Sequence, residues 1–439
     1  MAWHVVIAGG GFGGFYAARR LERVLPPQSA RVTLVTAENF LLYTPLLPGA
    51  AAGTLEPRHV VIPLREEPHR TEVVLGRVTG LDARRSTLAV HSADGRDEEL
   101  RYDQLILALG SVTRVPPVPG LAEHGLGFKT LADAIALRNR AVLNLEIAES
   151  IDDPDERRPF LNFVFVGAGY AGVEGIAELQ DYVADVIDRY PRCRLDGTRW
   201  LLIDVDDRIM HEISPGLAEF AARELRGRGI EVRPGTGLAS AEADRVTLSD
   251  GEVVPTRLLC WTAGVRPPPL VGELGLPLGD AGRIATDPTL RVEGHPTVWA
   301  IGDCAAVPDP AKGGKAPCPP TAQHALRQGR LVADNVAAAL GHGRVRGFRY
   351  RTLGAFVDLG RQEAVATMMG VKLRGFPAWW AARTYHMLLM PGTGRKIRLL
   401  VDWTVGLFFG RASAELGQLG HPAALDDASE ETLAGSGPP

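Results

Sequence analysis

The residues that could do chemistry fall first into two glycine triplets. Gly9, Gly11 and Gly14 stand in G-x-G-x-x-G spacing directly after the apolar residues 3–8, and Gly167, Gly169 and Gly172 repeat it after residues 162–166. In such a triplet the first glycine makes a tight turn, the second lets a pyrophosphate approach the backbone, and the third lets the helix pack on the strand. The helix N-terminus then turns unpaired N–H groups and a positive dipole end toward the phosphates. Two dinucleotide cradles are therefore expected. Asp204 ends the strand after the second cradle, where a carboxylate takes the ribose hydroxyls and repels a 2′-phosphate, so NADH is favoured over NADPH. After the first cradle Thr36 stands at that place. Glu38, two residues on, is the candidate ribose partner, and the alternative is a solvated loop carboxylate. A third motif, Ala300-Ile-Gly302-Asp303, can place a carboxylate on the ribityl hydroxyls of FAD. Alone it would read as a turn aspartate; it gains weight by following two dinucleotide motifs.

These residues need strand–helix–strand units to hold them. Residues 3–8 and 31–35 read as strands around a helix from Phe15, and residues 162–166 and 200–204 as strands around a helix over 173–189. Residues 258–264 repeat the ending of 103–110, so Gly110 and Gly264 fall at matching strand ends. Residues 40–63, broken by four prolines, are expected to be loop with short helical turns. Helices are expected over 131–149, 217–228 and 321–340, and a strand over 297–303. The expected fold is α/β, with tandem Rossmann-like FAD and NADH domains and a C-terminal membrane-associated segment. Its parts are residues 1–118 (FAD domain, first part), 119–287 (inserted NADH domain), 288–345 (FAD domain, second part), 346–424 (C-terminal segment) and an acidic tail over 425–439 expected to be disordered.

Composition narrows the function. The chain has 439 residues, 45% hydrophobic and 23% charged, and a formal charge of −4 on 48 basic and 52 acidic side chains. That is ordinary globular composition and argues against a general nucleic-acid binder. The four cysteines, Cys193, Cys260, Cys304 and Cys318, form neither C-x-x-C nor a zinc spacing. No metal is expected, nor a short-spaced redox dithiol. So few thiols fit a reducing cytoplasm. The N-terminus enters a strand at once, so no signal peptide is expected. No apolar run approaches the roughly 20 residues that cross a bilayer.

Five further stretches carry a resemblance: Phe40-Leu-Leu-Tyr-Thr-Pro-Leu-Leu-Pro48, Gly172-Val-Glu174, Trp299-Ala-Ile-Gly-Asp303, Pro319-Pro-Thr-Ala-Gln323-His-Ala, and a basic, aromatic C-terminal segment. With the two glycine motifs, in this order over roughly residues 3–420, the chain resembles the two-dinucleotide flavoprotein reductases and, within them, the type II NADH:quinone oxidoreductases (alternative NADH dehydrogenases). The resemblance implies a pyridine nucleotide-disulfide reductase-like architecture without the redox disulfide. It implies FAD in the first domain, touched by Gly9, Gly11, Gly14, Glu38, Gly110, Gly302, Asp303 and Ala322. It implies NADH in the second, touched by Gly167, Gly169, Gly172, Asp204 and Gly264. It places Glu174 between flavin and nicotinamide, with a part in proton delivery, and Gln323 at a quinone pocket. A first-turn acid is also favoured by the helix dipole alone, and Gln323 could instead satisfy backbone groups near a helix start. Relatives often carry a second glutamine four residues after the first; here that position is Arg327, with Gln328 one step round. An arginine could hydrogen-bond a quinone carbonyl or a flavin-side anion, or occlude the pocket.

Residues 371–411 hold seven Lys/Arg against one acid, Asp402, and seven aromatics, including three of the seven tryptophans. Residues 376–380 and 403–409 read as amphipathic stretches too short to span. Tryptophan prefers the headgroup level and Lys/Arg are drawn to anionic lipid, so peripheral contact with the inner face of the cell membrane is expected; the alternative is a dimer interface or a cap on the core. The expected activity is hydride transfer from NADH to FAD and reduction of a membrane quinone without proton pumping, by a homodimer. The alternatives are an NADH-dependent flavoprotein reductase with a soluble acceptor and a non-enzymatic NADH-sensing flavoprotein.

Overall fold

The computed structural model describes residues 2–314, 316–352 and 354–416. The tail expected over 425–439 lies outside the described residues. The chain opens with β1 (Trp3–Ala8), α1 (Phe12–Val24) and β2 (Ala30–Thr36). β1 and β2 run parallel, with Trp3 opposite Ala30 and Ala8 opposite Val35. Val5, Val6, Ile7 and Ala8 are fully buried, as befits a parallel strand covered on both faces. There follow β3 (Glu72–Asp82), β4 (Thr87–Ser92), β5 (Asp97–Arg101) and β6 (Gln104–Leu107). The chain then leaves this sheet for α2 (Leu131–Ser150), β7 (Asn162–Val166), α3 (Tyr170–Val186), β8 (Arg199–Asp204), α4 (Pro215–Gly227), β9 (Ile230–Pro234) and β10 (Leu258–Trp261). It returns at β11 (Val298–Ala300), and α5 (Ala322–Ala339) follows. The first sheet has the order β11-β6-β1-β2-β3-β4-β5, and the second places β10-β7-β8-β9 beside Gly125–Gly127. Two α/β sheets are thus nested, the second inserted in the chain path of the first. Within the second, Phe163 stacks on Trp200 with ring centroids 4.2 Å apart.

The C-terminal part adds an antiparallel sheet of β12 (Gly354–Asp358), β13 (Ala364–Met368) and β14 (Val371–Arg374), then α6 (Phe376–Leu389) and α7 (Thr393–Phe408). Among the described residues no helix is long and apolar enough to cross a membrane.

Four differences from the sequence reading have physical causes. The region 40–63 is more ordered than a loop: Phe40–Leu42 pairs antiparallel with Val61–Pro63, closing a loop of short helical turns. Three of its prolines, Pro45, Pro48 and Pro57, sit in the first turns of those helices, where no N–H is needed, and Pro63 ends the strand. Helices α1 and α3 start inside their glycine triplets rather than at Phe15 and Val173, because glycines leave room for the first turn against the strand. β11 stops at Ala300, and Gly302, at φ +71°, turns the chain into a 3-10 turn. The C-terminal amphipathic stretches belong to two full helices of 14 and 16 residues.

Helices α1 and α5 cross in backbone contact. A Cβ on Gly329 would lie 2.3 Å from the Gly13 carbonyl oxygen and 3.3 Å from the Ala17 nitrogen. Gly329→Ala must therefore push the helices apart, at about 1–3 kcal/mol, and disturb the first cradle. A lower melting temperature and faster flavin loss are expected; a variant that melts and holds flavin like the parent would refute the contact's importance.

Candidate active site

Each cradle is built by backbone contacts that a Cβ would block. In the first, a Cβ on Gly14 would lie 1.8 Å from the Gly9 carbonyl oxygen, and one on Gly9 would lie 2.2 Å from that of Ala108. In the second, a Cβ on Gly172 would lie 1.8 Å from the Gly167 carbonyl oxygen. Gly9 and Gly167 have φ of +113° and +104°, a conformation open to glycine and strained for other residues. The middle glycines differ. Gly11 and Gly169 are the N-caps of α1 and α3, and a Cβ on either meets nothing within 4 Å. The space before both helix N-termini is open, and a phosphate pair fits there.

The carboxylates take distinct places. Asp204 ends β8, and its two oxygens accept the N–H groups of Ala168 and Asp206. It therefore braces the second glycine loop from the strand end where a ribose would lie. Thr262 Oγ1 braces the same loop, donating at 2.7 Å to the Gly167 carbonyl. Gly264, at φ +84°, accepts the Arg114 N–H and ties the end of the second sheet to the segment leaving the first. Glu38 is exposed beyond the end of β2, and buried Thr36 donates to its carbonyl at 2.8 Å.

Around the expected flavin, Gly110 has φ +69° and open space at its Cβ position. The next residue, Ser111, donates at 2.7 Å to Asp303 Oδ2 and accepts at 3.0 Å from Lys129 Nζ. Burial lowers the Lys129 pKa, while Asp303 and Asp133 oppose the shift. Gly302 N–H is held at 2.7 Å by Gln328 Oε1, and Gln328 is buried. Ala322 opens α5, with Thr321 as its N-cap. These open spaces, the Asp303 carboxylate and two helix N-termini fit FAD in the first cradle.

The three residues named for catalysis fall at two ends of one strand. Gln323 Nε2 donates at 3.1 Å to the Gly354 carbonyl, and its Oε1 accepts at 2.7 Å from the Tyr350 hydroxyl. Arg327 donates to the Gln323 carbonyl at 3.0 Å and lies 4.1 Å from the Tyr350 ring centroid. At the other end of β12, Glu174 Oε1 accepts the Asp358 N–H at 3.1 Å. Gln323 and Arg327 therefore stand together, and Glu174 stands apart. A strand of this length puts the two ends roughly 13 Å apart at ~3.3 Å per residue.

Glu174 belongs to an acidic cluster. A cavity of about 40 Å³ is lined by Glu174, Glu178, Asp358, Arg383 and His386, with Pro45, Leu46 and Pro48 of the proline-rich region closing it. It has room for about one to three waters. Burial raises the carboxyl pKa values of Glu174, Glu178 and Asp358; Asp358 raises those of Glu174 and Glu178 further, while the Arg383 guanidinium opposes the shift at Glu178 and Asp358. Burial pushes the His386 imidazole down to about 4, and Tyr43 approaches it at 3.5 Å. Glu174 thus holds a proton more readily than an exposed glutamate would.

Sequence reasoning missed Ser111, Lys129, Thr262, Gln328, Tyr350, Asp358 and Glu178 as partners. Glu178 carried a signal, since it lies four residues after Glu174 on one helix face. Asp358, 184 residues from Glu174, carried none. All four cysteines are free and buried, and burial raises each thiol, Cys304 to about 11 and Cys318 to about 12. Neither is poised as a thiolate.

Residues 3–329 match the family model described as pyridine nucleotide-disulphide oxidoreductase. The demethylphylloquinone reductase of Synechocystis is 31% identical over 409 residues, covering 91% of this chain and 95% of that protein. The type II NADH:quinone oxidoreductase Ndh of Mycobacterium tuberculosis is 31% identical over 420 residues, covering 91% and 87%. The chain belongs to the type II NADH:quinone oxidoreductase family. The Plasmodium falciparum NDH2 structure in complex with NADH superposes with a TM-score of 0.87 at 18% identity, over 94% of this chain and all of that one. That match concerns the fold and extends through the C-terminal part, beyond the residues of the family model. The Cys304 thiol donates to the Ile301 carbonyl at 3.3 Å, and the Cys318 thiol faces the Pro308 carbonyl at 3.9 Å.

The acidic cluster sets a pH dependence. Glu178 is 3% exposed, and its folded pKa is raised above the ordinary 4.5 by burial first and Asp358 next. A raised carboxyl gives its full stability below pH 4.5 and loses it as the pH climbs through the raised value. Glu178→Gln should therefore melt higher than the parent at pH 8, by about 1–3 kcal/mol, with the gain gone at pH 4.5. A gain independent of pH in thermal melts would refute the charge argument.

Proposed function

We propose that this chain is an FAD-dependent NADH:quinone oxidoreductase that works at a membrane surface without pumping protons. The observation that carries this reading is the pair of open helix N-termini at Gly11 and Gly169, each backed by a contact that only glycine permits. Relatives named for quinone reduction align over 91% of the chain. Bound FAD would supply two-electron acceptance from NADH and donation to quinone. The protein's part is positioning. Gly9, Gly11, Gly14, Gly110, Gly302, Asp303 and Ala322 would hold FAD, with Glu38 the proposed ribose partner; Lys129 and Ser111 steady Asp303. Gly167, Gly169, Gly172, Asp204 and Gly264 would hold NADH. Gln323 Nε2 and Oε1 are committed to residues 350–354, so Gln323 would shape the acceptor side while Arg327 offers the free guanidinium nitrogens. Quinone reduction consumes two protons. Glu174 would keep one on Oε2, since Oε1 accepts from Asp358, and the small cavity links it to Glu178.

Membrane contact would come from α7. Ile397, Leu400, Val401, Val405 and Phe408 are each about half exposed or more and fall on one helical face. Leu399 and Trp403 hold the opposite face against the core, and Asp402 pairs with His59. The basic and aromatic residues contribute less than their number suggests. Arg395 is buried between Glu66 and Glu67, Arg411 pairs with Asp181, and Arg383 lies over the Trp379 and Trp403 rings. Trp379 and Trp403 are 7% and 9% exposed, whereas Trp380 is 60% exposed. Docking would thus rest on apolar area, with Lys372, Arg374 and Arg398 as exposed cations. Peripheral attachment on the inner face of the cell membrane, and a homodimer, are part of this proposal.

Two experiments test it. In stopped flow, NADH should bleach the flavin absorbance and added benzoquinone- or naphthoquinone-type acceptors should restore it; Asp204→Ser should narrow the preference for NADH over NADPH by about tenfold. Recovery with a soluble carrier protein but no quinone would favour the soluble-acceptor reading, and an unchanged nucleotide ratio would remove Asp204 from the site. The double variant Leu400→Glu/Phe408→Glu should release the protein from anionic vesicles. Retention on vesicles with loss of a dimer on sizing would make the face a subunit contact.

A further inference from the structure

The helices that close the first cradle also border a cleft of about 940 Å³, and of its charged residues only Arg327 enters the proposed reaction. Helix α1 lines it with Arg19, Arg20 and Arg23, and α5 with Arg327 and Arg330. The segment after α5 adds Arg346 and Arg349, and Asp334 is the one carboxylate in the lining. Seven guanidiniums therefore face a single acid. The spacings 19/20/23 and 327/330/334 put each set on one side of its helix.

The acids nearby leave most of this charge standing. Asp334 is shared by Arg20 at 2.6 Å and Arg346 at 2.8 Å. Arg19 meets Glu67 at 3.4 Å, and Glu67 also takes Arg395 of α7. Among the described residues, Arg23, Arg327, Arg330 and Arg349 have no carboxylate partner. Two of them are held on rings instead: Arg330 lies 5.2 Å from the Tyr16 centroid and Arg327 4.1 Å from that of Tyr350. A ring orients a guanidinium without neutralising it. Burial lowers the Arg330 pKa; Tyr16 opposes the shift, and the neighbouring Arg327, Arg19 and Arg23 add to it.

A cleft lined by one sign of charge focuses its field on a counter-ion. A quinone is neutral and gains little there. Planar forks of guanidinium nitrogens match phosphate oxygens, two bonds at a time. The volume falls in the range of ~300–1,000 Å³ of small-molecule sites. The dinucleotide phosphates are expected at the N-terminus of α1, whereas Arg19, Arg20 and Arg23 occupy its C-terminal half.

We propose that this cleft binds an anionic phosphate group, carried by an anionic phospholipid or by a soluble diphosphate. The link from Arg19 through Glu67 to Arg395 sets the cleft beside the helix whose apolar face is proposed to meet lipid. The proposal stands whether or not quinone is the acceptor.

The test uses the full-length holoprotein and the triple variant Arg23→Gln/Arg330→Gln/Arg349→Gln, with Arg349→Gln alone as a second variant in an exposed segment. Inorganic pyrophosphate is titrated by calorimetry at low and raised salt. Binding to phosphatidylglycerol vesicles and to phosphatidylcholine vesicles is read by co-sedimentation. Flavin content and melting temperature of each variant serve as the folding check. Salt-sensitive pyrophosphate binding that weakens about tenfold or more in the triple variant supports the site with a soluble source. No pyrophosphate binding, with a similar loss confined to phosphatidylglycerol vesicles, supports the lipid source. Arg349→Gln should show a smaller loss of the same sign. The proposal is overturned if the parent binds neither ligand at low salt, or if parent and both variants bind both ligands alike.

Discussion

The structure depends on two places where a helix is pressed onto the end of a strand with no side chain between. At Gly14 and at Gly172 an added Cβ would lie 1.8 Å from a carbonyl oxygen, far inside contact. This closeness does two things at once. It fixes where each helix begins, and it leaves the N–H groups of the first turn facing open space at Gly11 and Gly169. The same device recurs at Gly329, where α5 meets α1 backbone to backbone. Most of the first cradle is therefore main chain, and its precision comes from missing side chains.

β12 is the second organising element. Its first residue accepts from Gln323 on α5, and its last residue donates to Glu174 on α3. A short strand from the C-terminal part thereby joins a helix of the first sheet to a helix of the second. The side expected to meet the electron acceptor and the side expected to meet the donor are held at a fixed separation. The surrounding electrostatics differ at the two ends. Around Glu174 the acids crowd together in a small cavity, and burial drives them toward their protonated forms. Around Arg327 the arginines crowd together in an open cleft, where pKa shifts cannot remove a guanidinium's charge. Two opposite like-charge clusters thus have opposite remedies: the acids take up protons, and the arginines call for an anion.

The C-terminal part shows how far a count of residue types can mislead. Seven basic residues and three tryptophans suggested a surface rich in charge and indole. In the fold, Arg383 is enclosed by two of the tryptophans, and Arg395 and Arg411 are consumed by acids from distant segments. What remains outward is aliphatic and phenyl surface on α7, with Trp380, Lys372, Arg374 and Arg398. Composition cannot tell a cation that faces solvent from one that cements a helix to the core.

The sequence by itself determined the two glycine cradles, the order of the strands that carry them and the carboxylates at strand ends. Each is a local device whose parts lie within about twenty to forty residues, so spacing is sufficient to see it. Glu178, one helical turn from Glu174, carried the same kind of local signal and was still missed. Only the tertiary structure decided that Asp358 meets Glu174, that Ser111 and Lys129 bridge to Asp303, and that Gln323 is tied to Tyr350 and Gly354. Those pairs join segments whose separation has no periodicity, and their contacts exist only once the two sheets and the C-terminal strand have packed. The arginine cleft belongs to the same class. Its members are scattered from residue 19 to residue 349, and it becomes a single field only because two glycines allow α1 and α5 to touch.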